Sequence, residues 1–207
     1  MGKDEDLKNL TNSIKALTVF EHKTAQLYGD IAEQTRNLPL VKSLLLQISL
    51  DSQKHATVLK GLAQSLPETN WKTNDLPKAI ADAWRSIDEF QMELSSVDEI
   101  PEEDLTKLLR QLSTIENIMV EAYDLILQFQ NLDLLTSELD KIYNMKLESL
   151  KTVFMEIVHD EEYHREILMT AKELLERKQE EKAKTAPVVR FQNPDAWSRV
   201  APSNVTF

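Results

Sequence analysis

The stretch IVHDEEYHREIL, residues 157–168, places ligand-type side chains inside an apolar helical stripe. Three of its apolar residues recur at the spacing of one helix face, namely Ile157, Ile167 and Leu168. Glu161 and His164 interrupt that stripe one helical turn apart. Because a buried carboxylate and a buried imidazole are costly unless they are paired or bound to a metal, this stretch predicts a helix that carries metal ligands into the core of a helical bundle.

The same pattern occurs in both halves of the chain as a glutamate, a tyrosine seven residues later, and an acidic segment that ends in histidine. The first half has Glu21, Tyr28 and residues 51–55 (DSQKH). The second half has Glu116, Tyr123 and residues 160–164 (DEEYH). Each set lies in a helical apolar stripe, so we predict one ligand cage built by four helices. Its candidate metal ligands are Glu21, Asp51, His55, Glu116, Glu161 and His164.

The two tyrosines of this pattern, Tyr28 and Tyr123, each lie about two turns from their glutamate on the same helix face. Two interpretations of each are open. Its hydroxyl donates a hydrogen bond to a ligating carboxylate, or it is an ordinary amphipathic core residue with the hydroxyl at the edge.

The amino-acid composition favours an all-α protein. A chain of 207 residues is long enough for one domain with a sizeable core. Three glycines, no cysteine and heavy use of Leu, Glu, Lys, Ala and Gln favour helix almost throughout. The absence of cysteine excludes disulfides, thiolate metal sites and an iron module of the rubredoxin type.

The charge balance restricts the partners that we expect. A formal net charge of −11 argues against nucleic acid and against an anionic membrane surface, which both need clustered Lys and Arg. We find no charged-then-apolar signal segment and no apolar run of the ~18 residues that span a bilayer. We therefore expect a cytoplasmic protein with no membrane partner.

Periodicity and breaker residues divide the chain into four long helices and a tail. We predict helices at about residues 6–36 and 40–66, a helical crossover at 76–94, a third long helix from Pro101, and a fourth that begins between Thr136 and Met145 and ends near Lys182. These make residues 1–184 one four-helix bundle. Residues 185–207 contain three prolines and no helical period, so we predict an extended tail whose aromatic residues pack on a bundle surface.

These residues together resemble the ferritin-like superfamily, and most closely its rubrerythrin-related branch, over about residues 8–178. Members are four-helix bundles in which two helices each give a glutamate and the other two each give Glu-x-x-His, around a pair of irons. The resemblance implies that Glu21 and Glu116 are the single glutamates. It also implies that Glu161 with His164 is one complete Glu-x-x-His.

The other Glu-x-x-His departs from the family pattern. His55 resembles its histidine, but the residue three positions earlier is Ser52 instead of a glutamate that would bridge the metals. Asp51, four residues before the histidine, lies on nearly the same face and could replace that glutamate with a shorter reach. A site with one metal instead of two therefore stays open as an alternative.

The resemblance implies a metal-dependent oxidoreductase that binds two irons, or iron with manganese, and reacts with dioxygen or peroxide. It implies no catalytic residues beyond the metal ligands. Since the chain has no cysteine, the electrons would come from a separate donor protein or from ferrous iron itself. We expect a homo-oligomer, most simply a dimer. The alternative is a ferritin-like bundle with a degenerate or single-metal site that acts as a binding or assembly module.

Overall fold

The computed structural model describes residues 2–72 and 78–185, and the regular structure within these ranges is entirely helical. The described helices are α1 (Lys3–Gln34), α2 (Pro39–Gln64), α3 (Lys78–Leu94), α4 (Glu102–Leu127), α5 (Phe129–Tyr143) and α6 (Leu147–Thr185). The predicted all-α class is confirmed. The predicted tail lies outside the described residues apart from Thr185, which is the last residue of α6.

Local sequence signals explain the main helix boundaries. Pro39 occupies the first turn of α2, where a missing backbone N–H costs nothing. Pro101 precedes α4, and the first turn of α4 carries Glu102, Glu103 and Asp104 at the positive end of the helix dipole. The start of α4 at this proline therefore agrees with the sequence prediction.

The region between α4 and the last helix differs from the prediction. We expected the fourth long helix to begin between Thr136 and Met145, but it begins at Leu147, after the separate helix α5. Asn144 ends α5 in the left-handed conformation, with φ 50°, and its N–H donates to the Asp140 carbonyl. Asparagine tolerates this conformation better than other residues with side chains, so the helical pattern there consists of two helices and not one.

Contacts at one end of the molecule establish the direction of the long helices. The backbone N–H of Ile100 donates to the carbonyl of Gln34 at 3.3 Å, so α4 begins beside the turn between α1 and α2. Lys182 donates to Glu102 at 2.8 Å, so α6 ends there as well. Hence α2 and α4 run away from this end, whereas α1 and α6 run toward it. The helical connection predicted between α2 and α4 is present as α3.

One apolar core links the helices, and α3 packs over α1. Phe20 and Trp84 lie with ring centroids 6.3 Å apart, and the Lys23 ammonium lies 4.4 Å above the Trp84 ring. Trp84 therefore anchors α3 on α1. In the described part of the chain, no helix combines the length and apolar character needed to cross a membrane.

Candidate metal centre

Four long helices bring five polar ligand-type side chains into the apolar core. They are Glu21 from α1, His55 from α2, Glu116 from α4, and Glu161 and His164 from α6. None of the five is more than 1% exposed. Each interrupts an otherwise apolar stripe, so packing the stripe against neighbouring helices buries the polar side chain with it. The structure thus brings together five of the six ligands predicted from sequence.

These side chains form two adjacent groups that share Glu161. In the first, the Nδ1 atom of His55 lies 2.9 Å from Glu161 Oε1 and 3.4 Å from Glu21 Oε1. In the second, the Nδ1 atom of His164 lies 3.2 Å from Glu116 Oε2 and 3.7 Å from Glu161 Oε2. Within each group the ligand atoms lie within 4.8 Å of one another. Such spacing lets each group surround one metal ion, with Glu161 between the two ions.

The two imidazoles face the shared carboxylate with Nδ1, and their Nε2 atoms point to two aspartates. Nε2 of His55 lies 3.0 Å from Asp160 Oδ2, and Nε2 of His164 lies 3.6 Å from Asp51 Oδ2. Lys54 binds both aspartates, at 2.6 Å and 3.2 Å. Asp160 therefore holds the histidine of the other helix and directs Nδ1 of His55 toward the glutamates, whereas Nε2 of His164 has no hydrogen-bond partner.

The position of Asp51 differs from the role that we predicted for it. It belongs to neither ligand group, and its carboxylate lies on the outer side of the His164 ring. Asp160 has the equivalent place at His55 and was not among the predicted site residues. The signal for it was present, because each aspartate lies four residues before a histidine.

Both tyrosines donate hydrogen bonds to ligand carboxylates across the core. The hydroxyl of Tyr28 donates to Glu116 Oε1, and that of Tyr123 donates to Glu21 Oε1. Burial, together with the neighbouring carboxylates, raises the pKa of each hydroxyl well above its usual range. The hydroxyls therefore stay protonated, and the first of the two interpretations left open by the sequence agrees with these contacts.

Removing these hydroxyls tests their effect on the ligands. We expect Tyr28→Phe and Tyr123→Phe each to weaken metal binding by about 10-fold, because a carboxylate oxygen that is fixed by a donor becomes free to rotate. The measurement is a calorimetric titration of the metal-free chain. Tyr163→Phe is the matched control, since Tyr163 is exposed. Affinities unchanged in all three variants would contradict a role for the two buried hydroxyls.

In the metal-free cluster, both imidazoles and the Glu161 carboxyl group have raised pKa values and keep their protons. Burial lowers the pKa of His55, but contacts with Glu161 and Glu21 outweigh this effect and raise the pKa to about 11. Burial also lowers the pKa of His164, but contacts with Glu116 and Glu161 outweigh this effect and raise the pKa to about 10. Burial and the neighbouring Glu21 charge raise the pKa of Glu161 to about 8. Metal ions that bind here must therefore displace these protons.

The donor set fits a pair of hard or borderline divalent metal ions. Three carboxylates and two imidazoles are typical ligands of iron and manganese. Glu21 Oε2 of the cluster is buried and has no hydrogen-bond partner. Among the side chains that the structure describes, no lysine or arginine is buried beside the cluster. A buried carboxylate oxygen without a partner is available to a metal ion.

The remaining two histidines lie outside the cluster. His22 and His159 are exposed on other helix faces. No protein family, curated protein or solved structure matches this chain. The functional interpretation therefore depends on the geometry of the cluster itself.

Proposed function

We propose that this chain is a ferritin-like four-helix bundle of the rubrerythrin-related type, which binds two iron ions, or iron with manganese, and acts as an oxidoreductase. The observation that carries the proposal is the sharing of Glu161 between two buried Glu–His groups. Two ions held this way would supply electrons and open coordination positions to dioxygen or peroxide.

The residues of the chain have distinct tasks in this proposal. Glu161 lies between the two groups and offsets the charge of both ions, while Glu21 and Glu116 each serve one ion. Asp160 contacts Nε2 of His55 and keeps Nδ1 of that imidazole toward the ions. The apolar core around the cluster excludes bulk water and lowers the local dielectric, which strengthens the binding of charged ligands. A separate protein or reductant would return the electrons.

The second candidate function is a binding or assembly module with one metal or none. Ser52 favours it, because a buried serine stands where the family pattern has a bridging glutamate. The metal-free cluster also supports it. Two protonated imidazoles and one protonated carboxyl leave the five groups nearly neutral, so the bundle does not require a metal to offset buried charge.

Metal analysis distinguishes the two functions. The chain is purified without chelator or affinity metal, loaded with ferrous iron without oxygen, dialysed and analysed for iron. We expect two iron ions per chain, and oxidation of that iron by dioxygen or peroxide faster than the oxidation of free ferrous iron at the same concentration. No bound iron in a chain that keeps its helical circular dichroism would support the module instead.

A further inference from the structure

We propose that an apolar cleft between α1, α3 and α4 binds small apolar molecules of the class of dioxygen and is their way into the core beside Glu21. The cleft supplies no atom to the two ligand groups. Binding of an apolar gas in the cleft is independent of any metal, whereas delivery of dioxygen to a metal rests on the oxidoreductase function proposed above.

The cleft has a volume of about 150 Å³ and a mainly apolar lining. Four of its lining residues are buried, with at most 6% of each exposed, namely Leu10, Leu17, Ile80 and Ile126. The polar residues of the lining are all at least partly exposed, namely Ser13, Glu121 and Asn131. The bottom of the cleft is therefore apolar, and the polar groups lie at its mouth. Water at the bottom finds no polar partner, so a small apolar molecule displaces it easily.

The bottom of the cleft lies one helical turn from Glu21. The hydroxyl of Tyr123 donates to Glu21, so these two residues lie at the same level of the antiparallel helices α1 and α4. Leu17 precedes Glu21 by one turn, and Ile126 follows Tyr123 by about one turn, so these two residues also share a level. The rise of one turn is roughly 5.4 Å. A molecule at the bottom of the cleft is therefore separated from Glu21 by little more than one layer of side chains.

An oxidant has to pass between packed side chains to reach the cluster, since the five ligand-type side chains are at most 1% exposed. On the α2–α6 side, Lys54, Asp51 and Asp160 form a charged group over the imidazoles. On the α1–α4 side, the cleft offers apolar side chains instead. Dioxygen is apolar and uncharged, so it moves from water into apolar surroundings more readily than among charges. The cleft therefore fits dioxygen, whereas hydrogen peroxide, which forms hydrogen bonds, fits the charged side.

Xenon is the probe for the cleft, because it is an unreactive apolar gas that binds in apolar voids. The metal-free chain, with isotope-labelled methyl groups, is placed under increasing xenon pressure while its methyl NMR shifts are recorded. We expect shifts that saturate with pressure at the methyl groups of Leu17, Ile118 and Ile126. Ala122→Leu fills the cleft and should abolish these shifts, and Ala122→Val serves if the larger side chain prevents folding. Ala63→Leu, at a partly buried position of α2 outside the cleft, is the matched control and should keep them.

Delivery is tested on the chain loaded with ferrous iron, by stopped-flow measurement of iron oxidation with dioxygen and, separately, with hydrogen peroxide. In Ala122→Leu we expect the oxidation by dioxygen to slow about tenfold, because the filled cleft leaves only close-packed side chains on this side. The iron content and the oxidation by peroxide should equal those of the wild type, which a disturbed metal site would not allow. Ala63→Leu should match the wild type with both oxidants.

The outcomes separate the cleft from the metal function. A wild-type chain without xenon-dependent shifts at the cleft would overturn the gas site, whatever the metal does. Xenon binding together with equal rates of oxidation by dioxygen in the wild type and Ala122→Leu would overturn the delivery route. A chain that binds xenon but holds no iron, or holds iron that neither oxidant attacks, would overturn the oxidoreductase function and the delivery with it, and would support the gas site alone.

Discussion

Replacement of Glu161 by glutamine is expected to abolish the binding of both metal ions. Glu161 is the one residue that belongs to both ligand groups, so the loss of its charge removes a ligand from each ion at once. An amide of the same shape keeps the packing but neither offsets the charge of two cations nor bridges them. The measurement is elemental analysis after loading with limiting iron, with circular dichroism to confirm folding.

Matched substitutions make this expectation specific to the shared residue. Glu21→Gln and Glu116→Gln each affect one group, so each variant should keep one ion per chain. Glu162→Gln, at the exposed neighbouring position, should keep both ions. Retention of two ions by Glu161→Gln, or equal losses in all four variants, would contradict a centre organised around Glu161.

The second large effect concerns the stability of the metal-free chain, which we expect to fall as the pH rises above neutral. His55 and His164 have folded pKa values of about 11 and 10, against an ordinary value of 6.5. A raised folded pKa means that the stabilising contribution is complete below pH 6.5 and disappears as the pH passes through the folded pKa. The pKa of Glu161 is raised from 4.5 to about 8, so this group also lowers the free energy of unfolding as the pH rises between these two values.

The expected slope is large because two imidazoles act together. The free energy of unfolding should fall by up to about 1.4 kcal/mol per pH unit for each imidazole that stays protonated in the folded chain and is neutral in the unfolded one. Metal binding has the opposite dependence, since ions compete with these protons and bind more tightly as the pH rises. A stability that falls with pH and a metal affinity that rises with pH would together identify the cluster as the source of both.

Denaturant unfolding at several pH values between 6.5 and 9.5, with chelator present, measures this slope. His164→Gln should flatten it, whereas His159→Gln, at an exposed position on the same helix, should leave it unchanged. A metal-free chain whose stability is constant or rises over this range would show that the imidazoles are not held protonated by the glutamates.

Local periodicity was sufficient to predict the long helices, the helical crossover and the identity of most polar residues in the core. The apolar stripes of the four long helices each carry a charged or imidazole interruption, and a stripe that is buried takes its interruption with it. Glu21, His55, Glu116, Glu161 and His164 could be selected on this basis. The break at Asn144 was missed, because an isolated asparagine is compatible with a helix until its φ angle is known.

The sequence by itself determined which helix face each polar residue occupies, and therefore that carboxylates and imidazoles enter one core. Only the tertiary structure decided that Glu161 lies in both candidate ligand groups, that Asp160 contacts the histidine of the opposite helix, and that Asp51 lies outside these groups. The physical reason is that residue spacing defines an angle around one helix axis. The distances between side chains on different helices depend on the rotation and axial shift of each helix, which the packing of the whole core sets.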